Sequence, residues 1–266
     1  MFKLFENLFN NLKPIRPLHV AFDSGGKHKP AILLLHGIAA TSSTWDYLIK
    51  DLDTKRYRVV ALDLLGFGLS SKPNKCKYTV DDHVNYIHRT LRKLNIPAPY
   101  KIVGHSMGSI ISARYCVRYP KGIKEVLLLS LPLYLKDSTL HNNISRTQTD
   151  FYLKAYQLLS QKKDFTISNS KILRKLLRVN DGIEVNEENW NSFRLSLINT
   201  VVDQNTYNDI KSLEIPVHII YGNMDEFLVQ DSVNKLSVFN HVKITKLLAI
   251  NHAVGSRFAK EVAKFI

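Results

Sequence analysis

Two cysteines in 266 residues, Cys76 and Cys116, are too few and too far apart for a disulfide framework or a metal clip, and they make a reducing compartment the default. Long apolar runs are missing as well. No stretch approaches 18 unbroken apolar residues, and the longest, Val126 to Leu135, is broken by Ser130 and Pro132, which argues against a transmembrane helix. Acidic residues are the minority: 23 Asp and Glu stand against 37 Lys and Arg, for a formal net charge of +14. Such a chain is attracted to acidic surfaces in general, whether nucleic acid, anionic lipid or anionic substrate. Paired Cys and His at finger spacing and aromatic-rich sheet motifs are lacking, so no nucleic-acid partner is expected. The remainder is ordinary, with 45% hydrophobic and 23% charged residues over a length that suits one α/β domain carrying an insertion.

Phe2, Phe5, Phe9 and Leu12 recur at helical spacing before Pro14 stops the pattern, so residues 1–17 read as an N-terminal amphipathic helix. Glu6, Asn7 and Asn10 interrupt what a signal peptide would keep apolar. The helix either docks on the domain or, helped by Lys3, Lys13 and Arg16, makes peripheral contact with an anionic membrane. A cytoplasmic protein, peripheral at the inner membrane surface in the second case, is the expectation.

Farther along, short apolar runs alternate with helical patterns. The runs are Ala31–Leu35, Arg58–Leu62, Lys101–Val103, Val126–Leu129, Val217–Tyr221 and Ile244–Ile250; the helical segments lie near Thr44–Leu52, Val80–Leu94, Met107–Tyr119 and Arg257–Phe265. Nearly continuous β-branched and Leu-rich strands that alternate with helices imply an α/β fold with a mostly parallel sheet covered on both faces. The alternation stops between Leu133 and Ser212. Residues 18–132 and 213–266 therefore read as the core, and 133–212 as a helical cap insertion. Within it Lys171, Arg174, Lys175 and Arg178 share one helical face opposite Ile172, Leu173, Leu176 and Leu177. That basic face is either solvated or a site for anionic lipid or an acidic substrate group.

The most informative local pattern is Gly104-His105-Ser106-Met107-Gly108, set between the strand run ending at Val103 and an apolar helix. A serine raised on a strand-to-helix turn needs strained backbone, and a side chain at either flanking position would collide with it, so glycine is demanded there. The helix N-terminus behind Ser106 offers unpaired N–H groups and positive potential, which makes the Met107 amide a candidate oxyanion donor.

With this elbow in place the chain resembles the α/β-hydrolase superfamily from about His19 onward, specifically its serine-nucleophile members with a helical cap after the sixth strand. Other motifs fall in the expected order. His36-Gly37-Ile38, leading to Trp45, resembles the His-Gly oxyanion turn, and the resemblance makes the Ile38 amide the second donor. Asp63, Gly66, Gly68 and Ser70 match the D-x-x-G-x-G-x-S stretch, which usually packs beside the entrance and is read as structural. A nucleophilic serine needs a base, and the base an orienting acceptor. His252, just beyond the last strand run at the carboxyl edge of the sheet, is the best placed of ten histidines. His218 lies inside a strand and His241 before one, His36 is expected to brace its turn, and His105 to point away from the serine. Tyr221-Gly222-Asn223-Met224-Asp225 resembles the family's G-x-x-D turn, so Asp225 is the acid, with the adjacent Glu226 as the alternative. The order Ser106, Asp225, His252 is the one this fold uses.

Asn251 and Ser109 stand where the family often has glycine, and neither removes a catalytic group. The resemblance implies hydrolysis of a carboxylic ester with an apolar acyl group through an acyl-enzyme, with a small-molecule substrate and no metal or organic cofactor. The serine argues against the branches that place aspartate at the elbow, the haloalkane dehalogenases and epoxide hydrolases. Carbon–carbon bond hydrolysis of a dienoic diketone, acyl transfer, and a non-catalytic ligand-binding or membrane-associated role remain as alternatives.

Overall fold

Strands form at Val20–Asp23 (β1), Ala31–Leu35 (β2), Arg58–Leu62 (β3), Tyr100–His105 (β4), Ile123–Leu129 (β5), Val217–Gly222 (β6) and Val242–Leu247 (β7). The computed structural model describes residues 16–135, 143–176 and 185–266, of which 143 and 171–176 are described by their backbone alone. The strands make one sheet in the order β1-β3-β2-β4-β5-β6-β7. Every pairing is parallel except β1 with β3. All five residues of β2 and of β3 are buried. Successive side chains of a strand face opposite sides. Leu33 and Leu35 accordingly pack in one layer with Val84 and Ile87, whereas Ile32 and Leu34 pack in the other with Trp45, Leu48 and Phe258.

The helices that supply those layers are Asp46–Asp51 (α1), Val80–Leu94 (α2), Met107–Arg118 (α3) and Ser256–Ala263 (α9). Between β5 and β6 the described regular elements are helices: Asn143–Gln161 (α4), Lys163–Leu176 (α5), Trp190–Ser196 (α6) running into a π-helical turn at Leu197–Val202, and Thr206–Lys211 (α7). Gln230–Asn234 (α8) lies between β6 and β7. Local chemistry sets the ends of α2. Thr79 and Asp82 form a reciprocal capping box, and Asn95 closes the helix in the left-handed conformation.

The helices between β5 and β6 fall within the segment 133–212 read as the insertion. Several sequence expectations are corrected. The last strand is Val242–Leu247 where Ile244–Ile250 is expected, because Ala249 takes a left-handed φ of 55° and ends it. Ile250 nevertheless belongs to the core, 5% exposed. The edge strand β1 is only half-buried and carries no apolar run to announce it. The stripe Phe2, Phe5, Phe9 and Leu12 lies outside the described residues. The basic face of 171–178 is reached only in part: Lys171, Arg174 and Lys175 fall on α5, and Arg178 lies outside the described residues. Among the described residues no helix is long and apolar enough to cross a membrane.

Three buried imidazoles act as neutral struts between segments. His36 Nε2 accepts the Leu64 N–H at 2.8 Å, while its Nδ1–H donates to Gly37 O at 2.7 Å. His83 Nε2 meets Ser196 Oγ at 3.3 Å, joining α2 to the insertion. His105 Nε2–H donates to the carbonyl of His252 at 2.8 Å. Burial pushes their pKa values down, to about 4 for His36 and about 3 for His83 and His105. The unfolded chain binds these protons near pH 6.5 and the folded chain does not, so each imidazole removes about 1.4 kcal/mol of stability per pH unit as the pH falls from there. His252, whose pKa is raised, and Asp209, whose pKa burial raises to about 6, work in the opposite sense, while His88 and His218, lowered by burial, add to the three. Urea unfolding at pH 5 is expected to show a stability lower than at pH 7 by on the order of 3 kcal/mol. An unchanged unfolding free energy would mean that these rings protonate inside the folded protein.

Candidate active site

Ser106 caps the N-terminus of α3 with φ 54° and ψ −121°, a conformation that L residues reach only when the surroundings impose it. The surroundings here are backbone. A Cβ on Gly108 would stand 2.1 Å from Leu35 O, and one on Gly104 would stand 2.4 Å from Gly108 O. Helix α3 can thus lie against the end of β2 only if its second residue has no side chain. Ser109, one of the two departures from the family pattern, stitches the turn: its Oγ lies 2.8 Å from Gly104 O and 3.0 Å from Leu129 O. The turn after β2 comes up beside the serine, with the site of a Gly37 Cβ 3.1 Å from Ser106 Cβ. Ile38 and Ser106 line the same cavity.

Asp225 and His252 meet because the two loops that carry them are joined through their backbones. Asn223 N–H donates to Leu247 O at 2.9 Å, Met224 N–H to Ile250 O at 3.0 Å, and Ala249 N–H to Asn223 Oδ1 at 2.7 Å. Gly222 permits that approach, since a Cβ there would stand 2.0 Å from Ile250 O. His252 Nδ1–H then donates to Asp225 Oδ1 at 2.8 Å, and Phe227 N–H donates to the same oxygen at 3.1 Å. This tautomer leaves His252 Nε2 as an acceptor. Burial alone would raise the Asp225 pKa, but the charge and hydrogen bond of His252, with the Ser130 hydroxyl and the Phe227 amide, hold it below the ordinary carboxylate value. For His252, burial works to lower the pKa and is outweighed by Asp225, aided by Glu226, so the imidazole is more basic than usual.

Ser106, Ile38 and His252 face a cavity of about 180 Å³ whose other walls are largely apolar, among them Leu159, Phe193, Leu197 and Val201 of the insertion. None of the described lining residues is Asp, Glu, Lys or Arg. His105 has a structural role. It stands beside His252, ring centroids 4.8 Å apart, and holds that residue's carbonyl. His36 braces its turn, Asn251 Oδ1 accepts the Ala253 N–H at 3.2 Å, and His218 and His241 bond Thr245 and Ile210 elsewhere. Asp63 accepts the N–H groups of Ser42 and Leu69 at 2.9 and 3.0 Å, a structural arrangement.

Several residues that sequence reasoning passed over support the loop of Asp225. Phe227 sets its ring edge-on to His252 at 4.7 Å. Tyr134 donates to Phe227 O at 2.9 Å and pairs with Tyr156 at 2.8 Å, while Tyr152 donates to Glu226 O. Tyr152 and Tyr156 lie one turn apart on α4, and that i, i+4 spacing was the available signal.

Comparison with known proteins agrees with this geometry. Residues 30–253 match the family model described as alpha/beta hydrolase fold. Lipase 1 of Psychrobacter immobilis is 25% identical over 225 residues, 80% of this chain and 67% of the lipase. Lipase 3 of Moraxella sp. is 23% identical over 246 residues, covering 87% and 74%. The structure of an esterase from Exiguobacterium antarcticum superposes with a TM-score of 0.69 at 15% identity over 93% of both chains, a likeness of fold. With a family match that spans most of its length, the chain belongs to the alpha/beta hydrolase family.

Proposed function

We propose that the protein is a serine hydrolase that cleaves a neutral carboxylic ester with an apolar acyl group. The observation that carries this reading is the His252–Asp225 hydrogen bond, at 2.8 Å, standing at a cavity that Ser106 also lines and whose described walls carry no charge. Ser106 Oγ attacks the acyl carbon as His252 Nε2 takes its proton, and the electron pair of the carbonyl moves onto oxygen, received by the Ile38 and Met107 amides. The imidazolium, steadied by Asp225, gives its proton to the departing alkoxide, leaving an ester on Ser106. Water, deprotonated by the same imidazole, then attacks that ester and releases the acid and the free serine.

The insertion, residues 133–212, serves in this reading as the cap that walls the acyl site. A carboxylate-bearing substrate such as a dienoic diketone acid needs a buried cationic or hydrogen-bonding partner. The uncharged described walls favour a neutral acyl group instead. The lipases to which the chain is similar fit that choice.

Ser106→Ala is expected to leave the melting temperature within a few degrees while ester turnover falls by on the order of 10⁴-fold and fluorophosphonate labelling disappears. Retention of either activity would move the nucleophile elsewhere. Asp225→Asn is expected to lower kcat by on the order of 10⁴-fold, because the imidazole loses its tautomer and orientation. A panel of p-nitrophenyl esters run beside a dienoic diketone acid should show turnover of the esters alone. Since His252 works as a base only when neutral and its pKa is raised, kcat/KM should fall on the acid side with a midpoint above the ordinary histidine value near 6.5. A midpoint below 6 would place the base outside the Asp225 field.

A further inference from the structure

Ser130 follows β5 directly and is completely buried, with φ at +50°. Serine at such a φ is strained where glycine would be relaxed, so an observed outlier of this kind asks for a reason. Its backbone N–H donates to Ile220 O at 2.9 Å, which fixes the residue at the tip of the strand beside β6, the strand that leads into the Asp225 turn. The hydroxyl of Ser130 and Oδ2 of Asp225 are both buried, and neither completes a hydrogen bond with any described group. Asp225 already gives its other oxygen to His252 and to the Phe227 amide. One donor and one acceptor, close enough that the hydroxyl lowers the Asp225 pKa and both otherwise unpaired, complement each other.

We propose that Ser130 is a positioning residue of the active site, its hydroxyl donating to Asp225 Oδ2 and so holding the carboxylate in the orientation that presents Oδ1 to His252. This rests on the triad proposed above. The strained backbone is retained because glycine, the residue that would relieve it, carries no donor. The hydroxyl also lowers the Asp225 pKa, so its loss makes the Asp225–His252 pair bind a proton more tightly and moves the acid limb of kcat/KM to higher pH. Other groups facing the pair do not confuse this. Burial keeps Tyr134, Tyr152 and Tyr156 protonated and His105 neutral, and Glu226 is common to every variant.

The experiment compares Ser130→Gly, Ser130→Ala and Ser130→Thr with the wild type on one p-nitrophenyl ester. Glycine and alanine both lack the hydroxyl, but only glycine relieves the backbone, so activity and stability separate. Both are expected to lose about ten- to a hundredfold in kcat with KM within about twofold. Their acid limbs should shift upward together, while Ser130→Gly melts above Ser130→Ala. Ser130→Thr keeps a hydroxyl and should recover most of the kcat and return the limb, despite a lower melting temperature. A Ser130→Gly enzyme with wild-type kcat and an unmoved limb overturns the proposal, as does a kcat that simply follows melting temperature across the three variants. Failure of the wild type to form a fluorophosphonate adduct sinks the triad itself, and Ser130's part with it; a labelled wild type with unaffected variants sinks only the latter.

Discussion

A carboxylate taken out of water is the constraint around which this molecule is arranged. Asp225 has a fully buried side chain, and an isolated ion in such a place would take up a proton instead of staying charged. It stays charged because the site supplies an N–H from His252 and one from the Phe227 backbone, with the Ser130 hydroxyl close by. The cost of desolvation becomes a function: a buried ion in an apolar setting interacts with its partner more strongly than the same pair in water. The raised basicity of His252 is the other side of that interaction. The rest of the fold brings the two loops together and keeps water from replacing one of the partners.

Backbone packing performs that task more than side chains do. Gly108 lets α3 touch the end of β2, and Gly222 lets the acid turn touch the loop before His252. Both contacts fix carbonyl and amide groups, which have fewer ways to move than side chains. Around this frame the struts are polar groups used in neutral form: His36 between two turns, and His105 between the elbow and the His252 carbonyl. An imidazole is suited to this because one ring nitrogen donates while the other accepts, provided it stays neutral. Burial enforces that condition, and it makes the fold sensitive to acid.

The core strands were legible because strands buried on both faces must be apolar along their whole length, as Ala31–Leu35 and Arg58–Leu62 nearly are. The elbow was legible because steric demand for glycine on both sides of a serine leaves a fixed pattern. The edge strand β1 was not, since Val20–Asp23 is short, half-buried and paired antiparallel to only one neighbour. The end of β7 was misjudged because Ile250 is as apolar as a strand residue yet is buried from a loop. Ser130 was visible only as a polar interruption in the run Val126 to Leu135. Its relation to Asp225 spans almost a hundred residues of chain and arises only when β5 and β6 lie side by side. The partner of His105, the carbonyl of His252, is likewise set only by the fold.

The insertion is therefore more than a wall over the cavity. Helix α4 presents Tyr156 and Leu159 to the cavity, and through Tyr152 and the Tyr134–Tyr156 pair it also reaches the carbonyls of Glu226 and Phe227, the two residues after Asp225. Phe227 in turn lies edge-on to the His252 ring. Any displacement of α4 that enlarges the cavity must pull on hydrogen bonds whose other ends belong to the loop that follows Asp225. The shape of the cavity and the setting of His252 are consequently not independent properties here. Substitutions at α4 chosen to widen the cavity are constrained by Tyr152 and Tyr156, whereas Leu159, which lines the cavity without joining that hydrogen-bonded chain, is the position where shape can change with least effect on His252.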